Sequence, residues 1–320
     1  MENTLEVQGL RTYFFTYRGT VKAVDGVTFQ IGKRETLGLI GETGSGKSVT
    51  ALSVMRLIKD PGRIVGGKVM FEGENILDKD DAFMRGIRGR RIAMMFQEPT
   101  TSLNPVFTIG QQITDITRWH LKMTLKNAIS DAIKKFETVG LSDVKRRLKQ
   151  YPHELSGGMQ QRVMIAMGIS CGPSLLIADE PTTSLDVTIQ SQILGLIREL
   201  RKRIGTSILY ITHNLGVVAE LCDRVAVMYA GKIVESAPVM DLFGDPRHPY
   251  TQGLLASLPH YSTRTERLRT IGGSVPDMID IPSGCRFHPR CPRAKEICIH
   301  SEPELLQLDE QHILACHQCK

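Results

Sequence analysis

Eight consecutive residues are spaced to hold phosphate. Gly41-Glu-Thr-Gly44-Ser-Gly46-Lys47-Ser48 fits G-x-x-x-x-G-K-S/T in full. Glycines let successive backbone N–H groups turn inward without strain, and a helix beginning at the loop adds its positive end. Lys47 then bridges the β- and γ-phosphates of a nucleotide, and the Ser48 hydroxyl ligates Mg²⁺. A second constellation follows at Leu175-Leu-Ile-Ala-Asp179-Glu180, an apolar run that ends in two acids. Adjacent carboxylates at the end of a buried strand need a cation or a proton. Asp179 is assigned to Mg²⁺, through water, and Glu180 to orienting and polarising the attacking water.

These residues need particular elements around them. Thr36–Ile40 reads as a short buried strand running into the loop, and VTALSVMRLI after it reads as an apolar helix. Residues 3–35 show apolar alternation with a turn at Arg18–Gly19, and Gly62–Leu77 returns to strands and turns. From about Pro99 to Glu154 the pattern is helical. In Thr124–Gly140, Thr124 caps the helix, Leu125, Ile129, Ile133 and Phe136 share one face, and Gly140 stops it. LLIADE, SILYIT and RVAVMY are short apolar strands with helical stretches between them, which predicts a mostly parallel sheet covered on both faces. The character changes again near residues 236 to 245.

Between and beyond these elements lie further motifs that resemble those of ABC ATPases, in that family's order. Leu155-Ser156-Gly157-Gly158-Met159-Gln160-Gln161-Arg162 resembles the LSGGQ motif, Gln97 the Q-loop, Ser184-Leu185-Asp186 the D-loop (Ser where many members have Ala), and His213 the switch histidine. The resemblance covers roughly residues 5 to 235. It implies an α/β RecA-like P-loop ATPase core with an antiparallel β subdomain (1–97 and 159–240), an inserted α-helical subdomain (98–158), and a C-terminal extension (241–320). It implies that ATP is hydrolysed where two such chains close face to face. One ATP would be held by Gly41, Thr43, Gly44, Ser45, Gly46, Lys47, Ser48, Val49, Gln97, Asp179, Glu180 and His213. Ser156, Gly157, Gly158, Gln160 and Asp186 would complete the partner's site. Gln97 would touch Mg²⁺ or the lytic water, and His213 the γ-phosphate. Phe14 fits the adenine-stacking position, with Tyr17 and Tyr13 as alternatives.

Five of the seven cysteines crowd the end of the chain, as Cys285-x5-Cys291-x6-Cys298-x17-Cys316-x2-Cys319. A cytosolic protein seldom keeps disulfides, so a metal site is the first reading. Zinc draws its ligands close and favours C-x2-C pairs, whereas wider separations suit a 4Fe–4S cluster on Cys285, Cys291, Cys298 and Cys316. Zinc and unliganded packing cysteines stay open as alternatives. The stretches His248-Pro-Tyr-Thr-Gln-Gly-Leu-Leu, Ile271-Gly-Gly-Ser-Val-Pro276 and Gly284-Cys-Arg-Phe-His-Pro-Arg-Cys291-Pro resemble the tail of oligopeptide and dipeptide importer ATPases. That branch implies an iron–sulfur cluster, transmembrane permease subunits, a related or identical second ATPase subunit, and an extracytoplasmic solute-binding protein. It also includes ATPases for nickel and other small solutes. A soluble ABC ATPase of DNA repair or translation is the more distant alternative, and the tail as a separate redox or zinc regulator is another.

The bulk properties agree with this reading. The chain has 320 residues, 41% of them hydrophobic, enough for a filled core, and a formal charge of +6, too small to indicate a nucleic-acid partner. No apolar run approaches the roughly 18–20 residues needed to span a bilayer, and the first residues lack a signal-peptide pattern. The expected location is the cytoplasmic face of the membrane, as a peripheral subunit.

Overall fold

A computed structural model describes residues 3–182, 186–258, 271–309 and 311–318. The chain opens with β1 (Asn3–Thr16), β2 (Gly19–Gly32), β3 (Thr36–Ile40), α1 (Lys47–Val54), β4 (Gly62–Phe71) and β5 (Glu74–Asn75). It continues through α2 (Asp81–Ile87), β6 (Ile92–Met95), α3 (Pro99–Ser102), α4 (Ile109–Leu121), α5 (Leu125–Thr138), α6 (Val144–Arg147) and α7 (Gly157–Ile169). Then come β7 (Leu175–Asp179), α8 (Val187–Ile204), β8 (Ser207–Thr212), α9 (Leu215–Leu221), β9 (Arg224–Tyr229) and β10 (Lys232–Pro238). The last elements are α10 (Val239–Gly244), α11 (Pro249–Ala256), α12 (Glu296–His300), β11 (Leu306–Gln307) and β12 (Ile313–Leu314).

Two compact units result, and the division falls inside β8. The first comprises Gly32–Glu35 and Asp78–Tyr210, to which Thr4 is tied by a 2.9 Å hydroxyl contact with Ser207. Its strands β6 and β7 pair in parallel from Ile92↔Leu175 to Met95↔Ala178, and β8 is the other neighbour of β7. All five residues of β7 are buried, which is why the strand is continuously apolar up to its terminal acid. Between β6 and β7 lie the helices α3 to α7. The side chain of Thr124 caps α5 by accepting the Asn127 N–H, and Gly140 takes a left-handed φ of 74° just beyond its end.

The buried face of α5 differs from the expected one. Ala128, Ala132 and Phe136 face the core, while Leu125 and Ile129 are 53% and 41% exposed. The small alanines allow close helix approach. The larger residues on the adjoining stripe instead line a groove of about 420 Å³ with Thr108, Gly110, Thr114 and Leu148. Gly110 is needed there because a Cβ would lie 2.4 Å from the Leu148 carbonyl oxygen.

The second unit comprises Leu5–Ile31, Thr36–Leu77 and 211–320. One of its sheets is antiparallel, in the order β2-β1-β4-β5. Leu5, Val7 and Leu10 of β1 and Val24, Val27 and Ile31 of β2 are fully buried, at period-2 spacing apart from an odd step near Gly9 in β1 and another at Gly26 in β2. The other sheet has the order β11-β12-β10-β9-β3, with β3 parallel to β9 from Leu37↔Arg224 to Ile40↔Val227. Helix α1 is shorter than the apolar run 49–58: Arg56 takes φ 51° and turns the chain away after Val54. The tail does not hang apart from this unit. β12 pairs antiparallel with β10, and Tyr229, Tyr250 and Phe287 form an aromatic cluster with ring centroids 4.7 to 5.4 Å apart.

Candidate nucleotide site and cysteine cluster

In the second unit the phosphate loop leaves β3 and enters α1 as the motif requires. A Cβ at residue 41 would sit 2.1 Å from the Met228 carbonyl oxygen, so only glycine fits. Gly46 caps the helix at φ 105°, and a Cβ there would meet the Ala23 carbonyl oxygen at 2.3 Å. The helix has no side-chain cap, so its first N–H groups face the loop. The Lys47 ammonium is buried inside the loop, donating to the carbonyls of Gly41 at 2.8 Å and Glu42 at 2.9 Å and to the Ser45 hydroxyl at 3.4 Å. Ser48 and Thr43 are exposed, and Val49 is half-buried. His213 follows the end of β8 on the surface, held between Thr212, whose hydroxyl accepts the Asn214 N–H at 3.0 Å, and Asn214, which caps α9.

The aromatic candidates lie in different settings. Phe14 is half-buried, and its ring packs where a Cβ on Gly62 would lie 2.6 Å away. Tyr17 is 98% exposed in the turn before β2. The Tyr13 hydroxyl donates to Asp25 at 2.6 Å; burial and that bond push its phenol up to about 12. Burial alone would raise the Asp25 carboxyl, but the Tyr13 hydroxyl and the Arg286 guanidinium outweigh it and hold the group below the ordinary carboxylate range.

In the first unit Asp179 is buried at the end of β7. Glu180, next to it, takes φ 46°, an uncommon conformation for a residue with a side chain. Its carboxylate accepts the Gln97 amide at 3.2 Å, which brings together two residues 83 apart in sequence. Ser156 stands at the N-terminus of the 13-residue α7, exposed, with no side-chain cap bond; Gly157 is exposed beside it, and Gly158 packs against Ile189. That is a second open helix end suited to an anion. Gln160 points elsewhere: it is buried and donates to the carbonyls of Pro152 at 2.8 Å and Leu155 at 3.3 Å, which fixes the turn before Ser156. The Asp186 carboxylate caps α8, accepting the Ile189 N–H at 2.9 Å. Ser184 and Leu185 lie outside the described residues.

Four of the five tail cysteines lie in the second unit in one neighbourhood, without closing on a common point. Cys298 is buried and the other three are partly buried. The Cys285 N–H donates to the Cys298 carbonyl at 2.8 Å, and the Gln318 amide and backbone N–H reach the sulfurs of Cys298 and Cys316. Burial pushes the Cys285 thiol up to about 11, with added repulsion from the sulfurs of Cys298, Cys316 and Cys291, and the Cys291 thiol is raised for the same reasons. Each of the four thus lies within electrostatic reach of others in the set. Among the described residues no three His, Cys, Asp or Glu side chains stand close enough to hold a single metal ion. Cys319 lies outside the described residues.

One part of the site has no motif. Glu42, inside the phosphate loop, is clasped by Arg290, which stands next to Cys291 in the tail: Nη1 lies 2.6 Å and Nη2 3.0 Å from the carboxylate oxygens. The Glu42 N–H donates to the Tyr250 hydroxyl at 2.9 Å. The only sequence hint is the pair of arginines in Cys-Arg-Phe-His-Pro-Arg-Cys, and it does not name a partner.

A glycine loop on a buried lysine in one unit, and an Asp-Glu pair at a strand end and an uncapped serine-glycine helix end in the other, are features of an ATPase of the cassette type. The chain belongs to the ABC transporter family, which residues 24–183 match. Residues 234–298 match the oligopeptide/dipeptide transporter C-terminal region. The oligopeptide transport ATP-binding protein AppD of Bacillus subtilis is 50% identical, over 99% of this chain and 97% of its own. A probable peptide ABC transporter ATP-binding protein, y4tR of Sinorhizobium fredii, is 49% identical over 98% and 94%. In fold, the chain is similar to the ATP-binding cassette MJ0796, solved as a dimer bound to ADP and Pi: TM-score 0.66, 24% identity, 73% of this chain and 98% of that one. No helix among the described residues is long and apolar enough to cross a membrane.

Proposed function

We propose that this chain is the ATP-hydrolysing subunit of an importer of di- or oligopeptides, docked peripherally on transmembrane permease subunits at the cytoplasmic face and paired with a second ATPase chain, related or identical. A solute-binding protein outside the membrane would deliver the peptide. The observation that carries this reading is the match of the tail to the oligopeptide/dipeptide transporter region, joined in one chain to the cassette motifs. Relatives named for peptide transport, similar along nearly their whole length, support it. The proposed division is a core with β subdomain (1–97 and 159–240), a helical subdomain (98–158) and the extension (241–320).

Within the motor, the loop N–H groups and Lys47 bind the phosphates, and Phe14 or Tyr17 stacks on the base. Ser48, Asp179 and Gln97 would hold Mg²⁺, which neutralises phosphate charge when bound. Glu180 takes the proton of the attacking water, oriented by Gln97, and His213 contacts the γ-phosphate. Ser156, Gly157 and Gly158 bind the γ-phosphate held by the partner chain. Gln160 supports that turn from behind, and Asp186 anchors the neighbouring helix.

The tail is proposed to hold a 4Fe–4S cluster on Cys285, Cys291, Cys298 and Cys316. The wide spacing of these cysteines in the sequence, and the match of the tail to the oligopeptide/dipeptide transporter region, support a cluster over zinc. Binding must displace protons, because a thiol pushed up to about 11 is protonated at neutral pH. Iron and sulfide analysis of protein prepared without oxygen tests this, and zinc without iron would replace it. Uptake of labelled di- and oligopeptides by cells with and without the intact chain tests the transport reading. Unchanged peptide uptake with lost nickel uptake would move the chain to the nickel importers of the same branch.

A further inference from the structure

Glu42 is an awkward residue for a loop that receives a polyphosphate: it places a carboxylate at the second position of the turn. The structure holds it from three sides. The Arg290 guanidinium forms a two-pronged pair with the carboxylate, and the Arg290 side chain is only 6% exposed. The remaining Arg290 donors go to the carbonyls of Gly272 at 2.8 Å and Ile271 at 3.4 Å and to the Tyr229 hydroxyl at 3.5 Å, and the guanidinium lies 5.7 Å from the centroid of the Tyr229 ring. Tyr250 accepts the Glu42 N–H, and the Glu42 carbonyl accepts from the Lys47 ammonium. A continuous chain of contacts therefore runs from a tail arginine, through the loop backbone, to the lysine assigned to the phosphates.

We propose that Arg290 is a positioning residue for nucleotide binding: it neutralises Glu42 and fixes the loop backbone, so the tail sets the affinity of the phosphate loop for ATP. The inference rests on the reading of residues 41–48 as the ATP site. Without the guanidinium, Glu42 presents an uncompensated negative charge beside the incoming phosphates, in a partly buried setting where screening is weak. Lysine in its place supplies a charge but not the fork.

The test uses the full chain, with Mg²⁺ and a fluorescent ATP analogue to measure affinity, and turnover at saturating ATP alongside it. Arg290→Ala is expected to weaken binding about tenfold, and Arg290→Lys about threefold, with kcat changed less than twofold. Adding Glu42→Gln to Arg290→Ala should bring affinity back to within about threefold of the parent, because the charge that opposed the phosphates is gone. A purely structural role predicts no such recovery. Parent-like affinity in Arg290→Ala, or a double variant as weak as the single one, overturns the proposal. If Arg290→Ala does not fold, Arg290→Gln, which keeps length and polarity, carries the same comparison. Lys47→Ala separates the two readings: if it binds ATP normally the loop assignment fails, whereas if it loses ATP and Arg290→Ala does not, only the role of Arg290 fails.

Discussion

Replacing Glu180 by Gln separates ATP binding from ATP hydrolysis. The carboxylate sits beside the Gln97 amide at 3.2 Å, and a glutamine carbonyl accepts that same bond, so the local geometry survives. The backbone cost of φ 46° is common to both side chains. What disappears is the ability to take a proton from water. A positioned general base is worth roughly 10²- to 10⁴-fold in rate, or about 3–5 kcal/mol at about 1.4 kcal/mol per tenfold. Phosphate release at saturating MgATP is therefore expected to fall by at least about 10²-fold, with ATP affinity within about threefold of the parent. A half-exposed substitution that keeps its hydrogen bond should move stability by less than about 0.5 kcal/mol, or a degree or two in Tm. Turnover within threefold of the parent in a folded, ATP-binding Glu180→Gln protein would refute the assignment of Glu180 as the base.

Other perturbations read different parts of the molecule. Lys47→Ala should abolish the rise in Tm given by MgATP, which for the parent at about 100 times Kd corresponds to roughly 2.7 kcal/mol; a persisting shift would place the nucleotide elsewhere. Gly46→Ala drives a Cβ toward the Ala23 carbonyl oxygen in a left-handed backbone, and about 2–3 kcal/mol of stability should be lost in denaturant titration. Asp25→Asn leaves the buried Arg286 guanidinium unpaired and should cost about 3 kcal/mol at neutral pH. The folded-state pKa of Asp25 is lowered, so its contribution is present above the unfolded value and is lost as pH falls through the folded one. The stability gap between parent and Asp25→Asn should accordingly close in acid, and a gap that widened there would contradict the pairing.

The phosphate loop was legible because its requirement is local. Gly41 and Gly46 are dictated by backbone atoms that leave no room for a Cβ, and eight adjacent letters carry the whole constraint. The convergence of Gln97 on Glu180 was legible only through the family's motif order. Periodicity misjudged α5 because it weighs residue size, whereas the core selects Ala128 and Ala132 for close approach and leaves Leu125 and Ile129 outside. It overran α1 because nothing apolar marks the turn at Arg56. The Arg290–Glu42 and Arg286–Asp25 pairs span 248 and 261 residues. Contacts of that range leave no spacing pattern, and each side chain alone reads as an ordinary surface charge.

The pairing of β12 with β10 also bears on how the chain is made. β10 ends at Pro238, and its cover begins at Ile313, 75 residues later. At a synthesis rate of about 5–20 residues per second, the strand waits roughly 4–15 s with one edge open. Glu235, in the middle of β10, is completely buried once folding is complete; its carboxylate then accepts the His312 imidazole at 2.8 Å and the N–H groups of Arg247 and His248 at 2.7 and 3.0 Å. Before His312 emerges, that carboxylate has only the backbone N–H groups of Arg247 and His248 to bind, and an acidic side chain on an open strand edge is the kind of residue that discourages edge-to-edge association. The same side chain that binds the tail in the folded protein thus places an acidic group on the strand edge for as long as the tail is still being translated.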